Sequence, residues 1–401
     1  MKHPGAVALS VFFIVFFILN GFTTFASKYY AEIGLSVSQI GALSSLPTLI
    51  GMALMPLLGV LSDRARRKRA LVCCLLALTG AAYLLVDSLT DFSLPRPATR
   101  FLPLLALLSL SQALIQPVTP ICSAIGIEYM DSIGRPFSRI RLMGTIGYQL
   151  GVLLVGAFFV RSLRHLYTWT AYSLFVAALL ALAFPPVQGH QHGKEKISPR
   201  ALLRDKRVRA LLGLVMLGTT TSLFYNSFFG AYLGEMQVDN RVSSLIIFLS
   251  VLPEVPFFFV AEKIMRRYSV WKWQIIGFTL NGLRWIGLYI ASRLGSWPLV
   301  VVAQLAAVSA TFCFEFFPSL YLSRIVAPEL SSSVQTLLTL CSFGLARAVG
   351  CLAGGWLAGS IGIRGVFLVW GVMLLAAAAI LRRPVAKLAR EDEGWTSHAS
   401  R

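Results

Sequence analysis

The sequence predicts an all-α membrane protein: twelve transmembrane helices in two pseudo-symmetric six-helix bundles, with both termini on the cytoplasmic side. Three observations predict it. The 401 residues are 56% hydrophobic and only 13% charged, with a mean hydropathy of +0.72, whereas a soluble domain carries about 25% charged residues. Cutting the chain at charge clusters and at Pro, Gly, Asn and Asp turns leaves twelve apolar segments, and about 20 residues suffice to cross a bilayer as a helix. Of the 36 Lys and Arg residues, 26 fall on one side of the alternating chain and 8 on the other, with Arg284 and Arg347 inside segments. The cation-rich side is the cytoplasmic one, and an odd number of crossings would scatter the asymmetry.

The elements follow in order. The first segment, 6–27, is too long for a signal-peptide core and lacks a small-x-small cleavage site, so it reads as a membrane helix. Segments 39–61, 70–86, 101–127, 139–160 and 166–185 complete a first bundle. A polar stretch from Val187 to Arg207 reads as a linker, and segments 208–233, 242–261, 274–292, 297–322, 334–359 and 364–381 form a second bundle. The expected domains are therefore 1–186, a cytoplasmic linker 187–207, 208–382 and a cytoplasmic tail 383–401. An offset of 199 aligns Asp63 with Glu262 and Gly151 with Gly350. Two related six-helix halves imply a cavity between them near the bilayer midplane.

Several function classes drop out. The length leaves no room for a separate soluble catalytic domain, so the chain is not expected to be an enzyme. No G-x-x-x-x-G-K-[ST] loop, HExxH or Cys/His cluster occurs, so neither ATP-driven pumping nor a metal or other cofactor is expected. The six cysteines lie in apolar stretches and read as packing residues. His190 and His192 read as solvated linker residues. The excess of cations belongs to the positive-inside pattern and calls for no nucleic acid.

The loop after the second segment reads Gly59-Val-Leu-Ser-Asp63-Arg64-Ala-Arg66-Arg67-Lys68-Arg69. It resembles the signature G-x-x-x-D-[RK]-x-G-[RK]-[RK] of the major facilitator superfamily, with Arg66 where that family usually has Gly. The resemblance implies a gating role for Gly59, Asp63 and Arg64. The fifth segment opens Arg139-Ile-Arg141-Leu-Met-Gly144-Thr145-Ile-Gly147-Tyr148. This resembles the R-x-R-x-x-G-x-x-G-[aromatic] stretch of the lactose permease and nucleoside–proton symporter group. There the second Arg pairs with a carboxylate of the fourth helix and binds sugar hydroxyls, while the aromatic stacks on the sugar ring. Those roles would fall on Arg141 and Tyr148, with Glu128 preferred to Asp131 as the carboxylate. Independently, Arg141, Thr145 and Tyr148 share one helix face by their i, i+4, i+7 spacing. Gln112, Gln116, Thr119 and Ser123 form a second polar stripe, interrupted by Pro117 and Pro120. It must face a water-filled cavity or another helix.

The second half carries Glu254, Arg284, Glu315 and Arg347 inside segments. A charge at mid-membrane costs about 3 kcal/mol on insertion scales, so these four need partners or a function. Leu252-Pro-Glu254-Val-Pro and Gly282-Leu-Arg284-Trp285 resemble the eighth and ninth helices of the nucleoside and aromatic-acid permease branch. The resemblance implies a substrate-contacting acid at Glu254 and a proton-release role for Arg284. The His and Glu of the permease relay correspond to Ala307 and Ala310. Glu315, on one face with Gln304 and Thr311, then becomes the candidate proton carrier, or the partner of an Arg such as Arg347. Thr219, Ser222, Tyr225 and Asn226 line the seventh segment, where the permease has acids.

The expected function is secondary active transport by alternating access, as proton-coupled symport of a polar ring-containing solute such as a sugar or nucleoside. The substrate wall would comprise Arg141, Tyr148, Glu128, Thr145, Gln116, Asn226 and Glu254, and coupling would involve Glu315, Glu254, Arg284 and Arg347. A carrier of aromatic or other organic anions is the alternative, since three arginines offer carboxylate partners. Efflux of sugars or drugs, and a non-transporting receptor or scaffold on the same fold, are further alternatives. The expected setting is a monomer in the bacterial cytoplasmic membrane whose partners are lipid, solute and protons.

Overall fold

The computed structural model describes residues 3–64, 68–91, 97–135, 138–159, 162–184, 203–254, 256–257, 269–326 and 331–399. Every regular element among them is helical. The chain divides into two compact units, residues 1–193 with 227–245, and residues 194–226 with 246–401. Most of the expected linker, including His190 and His192, lies outside the described residues. Seven helical stretches among the described residues are long and apolar enough to cross a membrane, some of them running through more than one helix, and 142–158, 166–181 and 240–251 are shorter apolar helices.

The first unit contains α1 (Pro4–Thr23), α2 (Ala26–Glu32), α3 (Val37–Arg64), α4 (Lys68–Asp91), α5 (Pro97–Ile115), α6 (Val118–Ser132), α7 (Ser138–Phe158) and α8 (Leu166–Ala181). Pro4 stands at the start of α1, where its missing N–H costs nothing. The expected fourth segment is two helices, because Pro117 supplies no N–H and restricts Gln116 before it. The chain turns at these two residues and restarts at Val118.

α1 lies along α7, and glycines set the distance. A Cβ on Gly147 would stand 2.2 Å from the Ile14 carbonyl oxygen, and one on Gly151 2.4 Å from that of Ile18. Any side chain there would force the helices apart, so Gly147, the last glycine of the Arg-x-Arg-x-x-Gly-x-x-Gly stretch, and Gly151 beyond it are packing residues. In a bilayer, where lipid is as apolar as leucine, such close approach supplies the association energy.

The second unit is built from most of α9 (Lys206–Glu235), the end of α10 (Asn240–Val251), α11 (Val270–Arg293), α12 (Trp297–Gln304), α13 (Val308–Thr311), α14 (Phe317–Ile325), α15 (Ser331–Thr339) and α16 (Ala346–Ala399). The glycine device recurs: a Cβ on Gly350 of α16 would lie 2.3 Å from the Thr220 carbonyl oxygen of α9. α16 is interrupted at Gly362 (φ 73°, ψ 161°), a conformation that favours glycine. That break falls between the eleventh and twelfth expected segments. Beyond the apolar stretch the helix continues, with Val385 and Ala389 buried and Glu391 3.9 Å from Lys206 at the start of α9.

Candidate functional site

The polar centre of the second unit assembles where helical winding changes. Residues 297–325 are one apolar stretch in sequence, but the backbone passes from α12 through a 3-10 turn (Leu305–Ala307), then α13, then a π turn (Phe312–Phe316), into α14. Gln304 ends α12, Thr311 ends α13 and Glu315 lies in the π turn. Three residues of 3-10 helix rotate the following side chains by about 60° relative to an α-helix. The single face expected for Gln304, Thr311 and Glu315 is accordingly split: Gln304 is buried, Thr311 half-buried and Glu315 exposed. The π turn also diverts a carbonyl, since Cys313 O accepts from Gln274 Nε2 at 2.5 Å.

Arg284 on α11 is buried, with 4% of its surface exposed, although it carries a permanent charge. Gln304 Oε1 accepts from its Nε at 3.0 Å and from its Nη2 at 2.5 Å, and Gln304 Nε2 donates to the Tyr225 hydroxyl at 2.8 Å. The guanidinium also lies over the rings of Tyr225 (4.2 Å) and Trp285 (4.5 Å), a cation–π arrangement that substitutes in part for lost water. Trp285 Nε1 in turn donates to Thr221 Oγ1 at 3.1 Å. The acid of this region, Glu254, is half-buried and accepts from Thr311 Oγ1 at 2.7 Å. Arg284 and Glu254 are within electrostatic reach, yet each has a neutral hydrogen-bonding partner. Arg347 on α16 is half-buried, and its Nε has no hydrogen-bond partner among the described residues. Asn226 on α9 is exposed.

In the first unit, Thr145 and Tyr148 sit on α7, Thr145 exposed and Tyr148 half-buried with Thr24 Oγ1 3.4 Å from its hydroxyl. Arg141 occupies the same helix, but its side chain lies outside the described residues, as do those of Asp63 and Arg64 on α3, the helix that also carries Gly59. Arg66 lies outside them altogether. Glu128 is half-buried on α6. The Gln116 amide donates to the Thr48 carbonyl at 3.0 Å, so this member of the polar stripe ties the end of α5 to α3. Among the described residues no group of three His, Cys, Asp or Glu side chains gathers to hold a metal.

Sequence reasoning missed a second buried polar cluster. Asp87 of α4, 3% exposed, accepts from the Tyr29 hydroxyl (2.8 Å), Thr168 N (2.7 Å) and Thr168 Oγ1 (2.8 Å). Beside it the hydroxyls of Tyr30 and Tyr167 share a short hydrogen bond. The only sequence signal was an acid directly after an apolar segment. Sequence reasoning also placed Gln304 with Glu315 rather than with Arg284, since side-chain spacing alone does not show a change of winding.

Comparison with known proteins bears on this arrangement. A model of the MFS_1 like family matches residues 7–369. The chain is 26% identical to the maltose permease of Geobacillus stearothermophilus over 379 residues, covering 92% of each chain. Its fold is similar to that of the nucleoside transporter NupG, with a TM-score of 0.80 at 18% identity, over 94% of this chain and 98% of that one. A D-xylose–proton symporter aligns with a TM-score of 0.67 at 15% identity, over 95% and 97% of the two chains.

Proposed function

From the premise that the chain belongs to the MFS_1-like family, and is a membrane transporter of the major facilitator type and not an enzyme, we propose that it carries out proton-coupled symport of a polar ring-containing solute, a sugar or nucleoside. It does so by alternating access between bundles 1–186 and 208–382, joined by the cytoplasmic linker 187–207 and followed by the tail 383–401. Twelve helices cross a bacterial cytoplasmic membrane, and both termini are cytoplasmic. The maltose, nucleoside and xylose–proton transporters it resembles support the solute class.

The observation that carries the coupling is the separation of acid from base in the second unit. Glu254 is held by a hydroxyl, while Arg284 is held by Gln304 and two aromatic rings. A carboxylate held by a neutral group in an apolar segment is cheaper to bury when protonated. The guanidinium stands within electrostatic reach to favour release of that proton in another state. Glu315, exposed one turn beyond Thr311, is the second candidate carrier. Solute contacts fall to Arg141, Tyr148, Thr145 and Glu128 in the first half and to Asn226 in the second, and Asp63 with Gly59 and Arg64 controls the cytoplasmic gate.

The test is uptake into liposomes under an imposed pH gradient, with maltose, xylose and nucleosides as candidate solutes. Glu254→Gln or Glu315→Gln should abolish accumulation while leaving solute exchange intact, because exchange needs no net proton release. If both variants still concentrate solute, proton coupling through the second half is wrong. Two observations favour a second reading, transport of organic anions: Arg284 bonds to a neutral amide, and the Arg347 Nε has no hydrogen-bond partner among the described residues. Carboxylate-bearing solutes belong in the same screen, since a solute anion would pair with such a guanidinium.

A further inference from the structure

Helix α2 is seven residues long and carries Ser27, Lys28, Tyr29, Tyr30 and Glu32. Part of it is bound tightly to the first half of the chain. Tyr29 reaches the buried Asp87, Tyr30 meets Tyr167, and Glu32 Oε2 accepts from Leu163 N at 2.9 Å. Asp87 also takes the Thr168 N–H and hydroxyl, so the anchor links α2, α4 and the start of α8 through a carboxylate with three donors. Charge-assisted bonds to a buried carboxylate are the strong kind.

Its other contacts differ in kind. Lys28 Nζ donates to the Val238 carbonyl at 2.8 Å, and Ser27 Oγ accepts from Ala231 N at 3.3 Å. Gly230 and Gly234 make room: a Cβ on Gly230 would lie 3.1 Å from Ser27 Oγ, and one on Gly234 3.5 Å from Lys28 Cε. Nearby, Asn240 Nδ2 donates to the Phe159 carbonyl at 2.5 Å, and a Cβ on Gly156 would meet Ser244 at 2.7 Å. The contacted residues 227–245 follow the linker in sequence, yet they pack within the first unit. They include the far end of α9, whose earlier residues 206–226 belong to the second unit. Burial pulls the Lys28 ammonium below its ordinary pKa of 10.5, while Glu32 and Asp239 pull it back up.

We propose that α2 is a latch: anchored to the first half through Tyr29, Tyr30 and Glu32, and hooked onto residues 227–245 by Lys28 to hold the non-cytoplasmic side of the transporter shut. The anchor is made of side chains locked in a buried network. The hook is a flexible amine on one carbonyl, seconded by the Ser27 hydroxyl on Ala231 N and by the Asn240 amide on the Phe159 carbonyl, bonds that form and break without unfolding either partner. The inference rests on the alternating-access reading, in which residues 28–38, 162–165 and 234–241 all lie on the side opposite the cation-rich loops.

Ser244 supplies the probe, because it is 1% exposed and its hydroxyl donates within its own helix, to Asn240 O. Ser244→Cys is reacted in sealed right-side-out vesicles with a membrane-impermeant maleimide, the parent chain with its six native cysteines giving the background. Adding Lys28→Met should raise the labelling rate about tenfold, the size of effect set by losing one hydrogen bond from a charged donor. Lys28→Arg should leave it near the rate of Ser244→Cys alone, and Asn240→Ala, which removes the bond to Phe159, should raise it independently. Full labelling after denaturation in detergent confirms that the cysteine is present. Equal, measurable rates with Lys28 retained and with Lys28→Met would overturn the latch while leaving alternating access standing. No labelling of any variant would mean that this side never opens, which overturns alternating access itself.

Discussion

Replacing Gln304 by Leu is the sharpest probe of the second unit. The substitution keeps the volume close to constant but removes the oxygen that accepts from Arg284 Nε at 3.0 Å and Nη2 at 2.5 Å, and the amide N–H that donates to Tyr225 at 2.8 Å. Neutral bonds between membrane helices average about 0.6 kcal/mol, so the Tyr225 contact is the smaller part. Removing a neutral acceptor from a buried charged donor costs about 1.5–3 kcal/mol, the two rings over the guanidinium remaining in place. The Arg284 contacts therefore decide the outcome, and we expect Gln304→Leu to destabilise the protein by about 2 kcal/mol. Arg284→Met alone also destabilises, leaving Gln304 buried without its donor, but the double variant should lose much less than the sum. An apolar pair of similar shape restores packing without an unpaired polar group. The assay is a double-mutant cycle by denaturant titration in detergent micelles. If the two losses simply add, or Gln304→Leu lies within about 0.5 kcal/mol of the parent, Gln304 is not what holds Arg284.

Three further outcomes are expected. Arg141→Lys should insert normally into the membrane but abolish uptake, because a point-charge ammonium does not reproduce a planar bidentate guanidinium; wild-type uptake would remove Arg141 from the site. Gly147→Ala should reduce folded yield, since its Cβ would stand 2.2 Å from the Ile14 carbonyl oxygen, whereas Gly213→Ala, with nothing within 4 Å, should be neutral or stabilising; equal yields would contradict the packing role. Asp205 caps α9 by accepting from Arg207 N at 2.7 Å; burial raises its pKa, but hydrogen bonds from the Arg207 side chain and backbone outweigh it and leave it below the ordinary 3.8. Its stabilisation, roughly 1 kcal/mol as a cap and little from the solvent-screened charge pair, is present above pH 3.8 and lost as pH falls through the depressed value, so Asp205→Ala and the parent should differ in melting at neutral pH and converge in acid below that value.

What was legible in the sequence was whatever depends on composition and local steric rules. The apolar runs and the gap between the eleventh and twelfth segments follow from hydropathy, whereas the fourth segment was expected as one helix and its split at Pro117 emerged only in the structure. The family was legible in two short motifs, although the last glycine of one proves to set the α1–α7 spacing. The partner of Arg284 was not legible. A helical wheel assumes one constant rotation per residue, and residues 297–325 wind in three different ways. The Asp87 cluster was hidden for another reason: its donors come from α2 and α8, about 60 and 80 residues away in the chain, and no local pattern joins them.

The glycine contacts also bear on how the molecule comes apart. Apolar side chains lose little when lipid or detergent replaces a neighbouring helix, because their surroundings remain hydrocarbon. Backbones in direct contact lose more, since no lipid tail fits so narrow a gap as closely, and weak Cα–H···O attractions vanish with it. The α1–α7 pair and the α9–α16 pair should thus be the last associations to melt within their respective units. In hydrogen exchange, amides around Ile14–Ile18 and Thr220–Phe224 would then report global unfolding, while the irregular turns at 305–307 and 312–316 exchange through smaller openings.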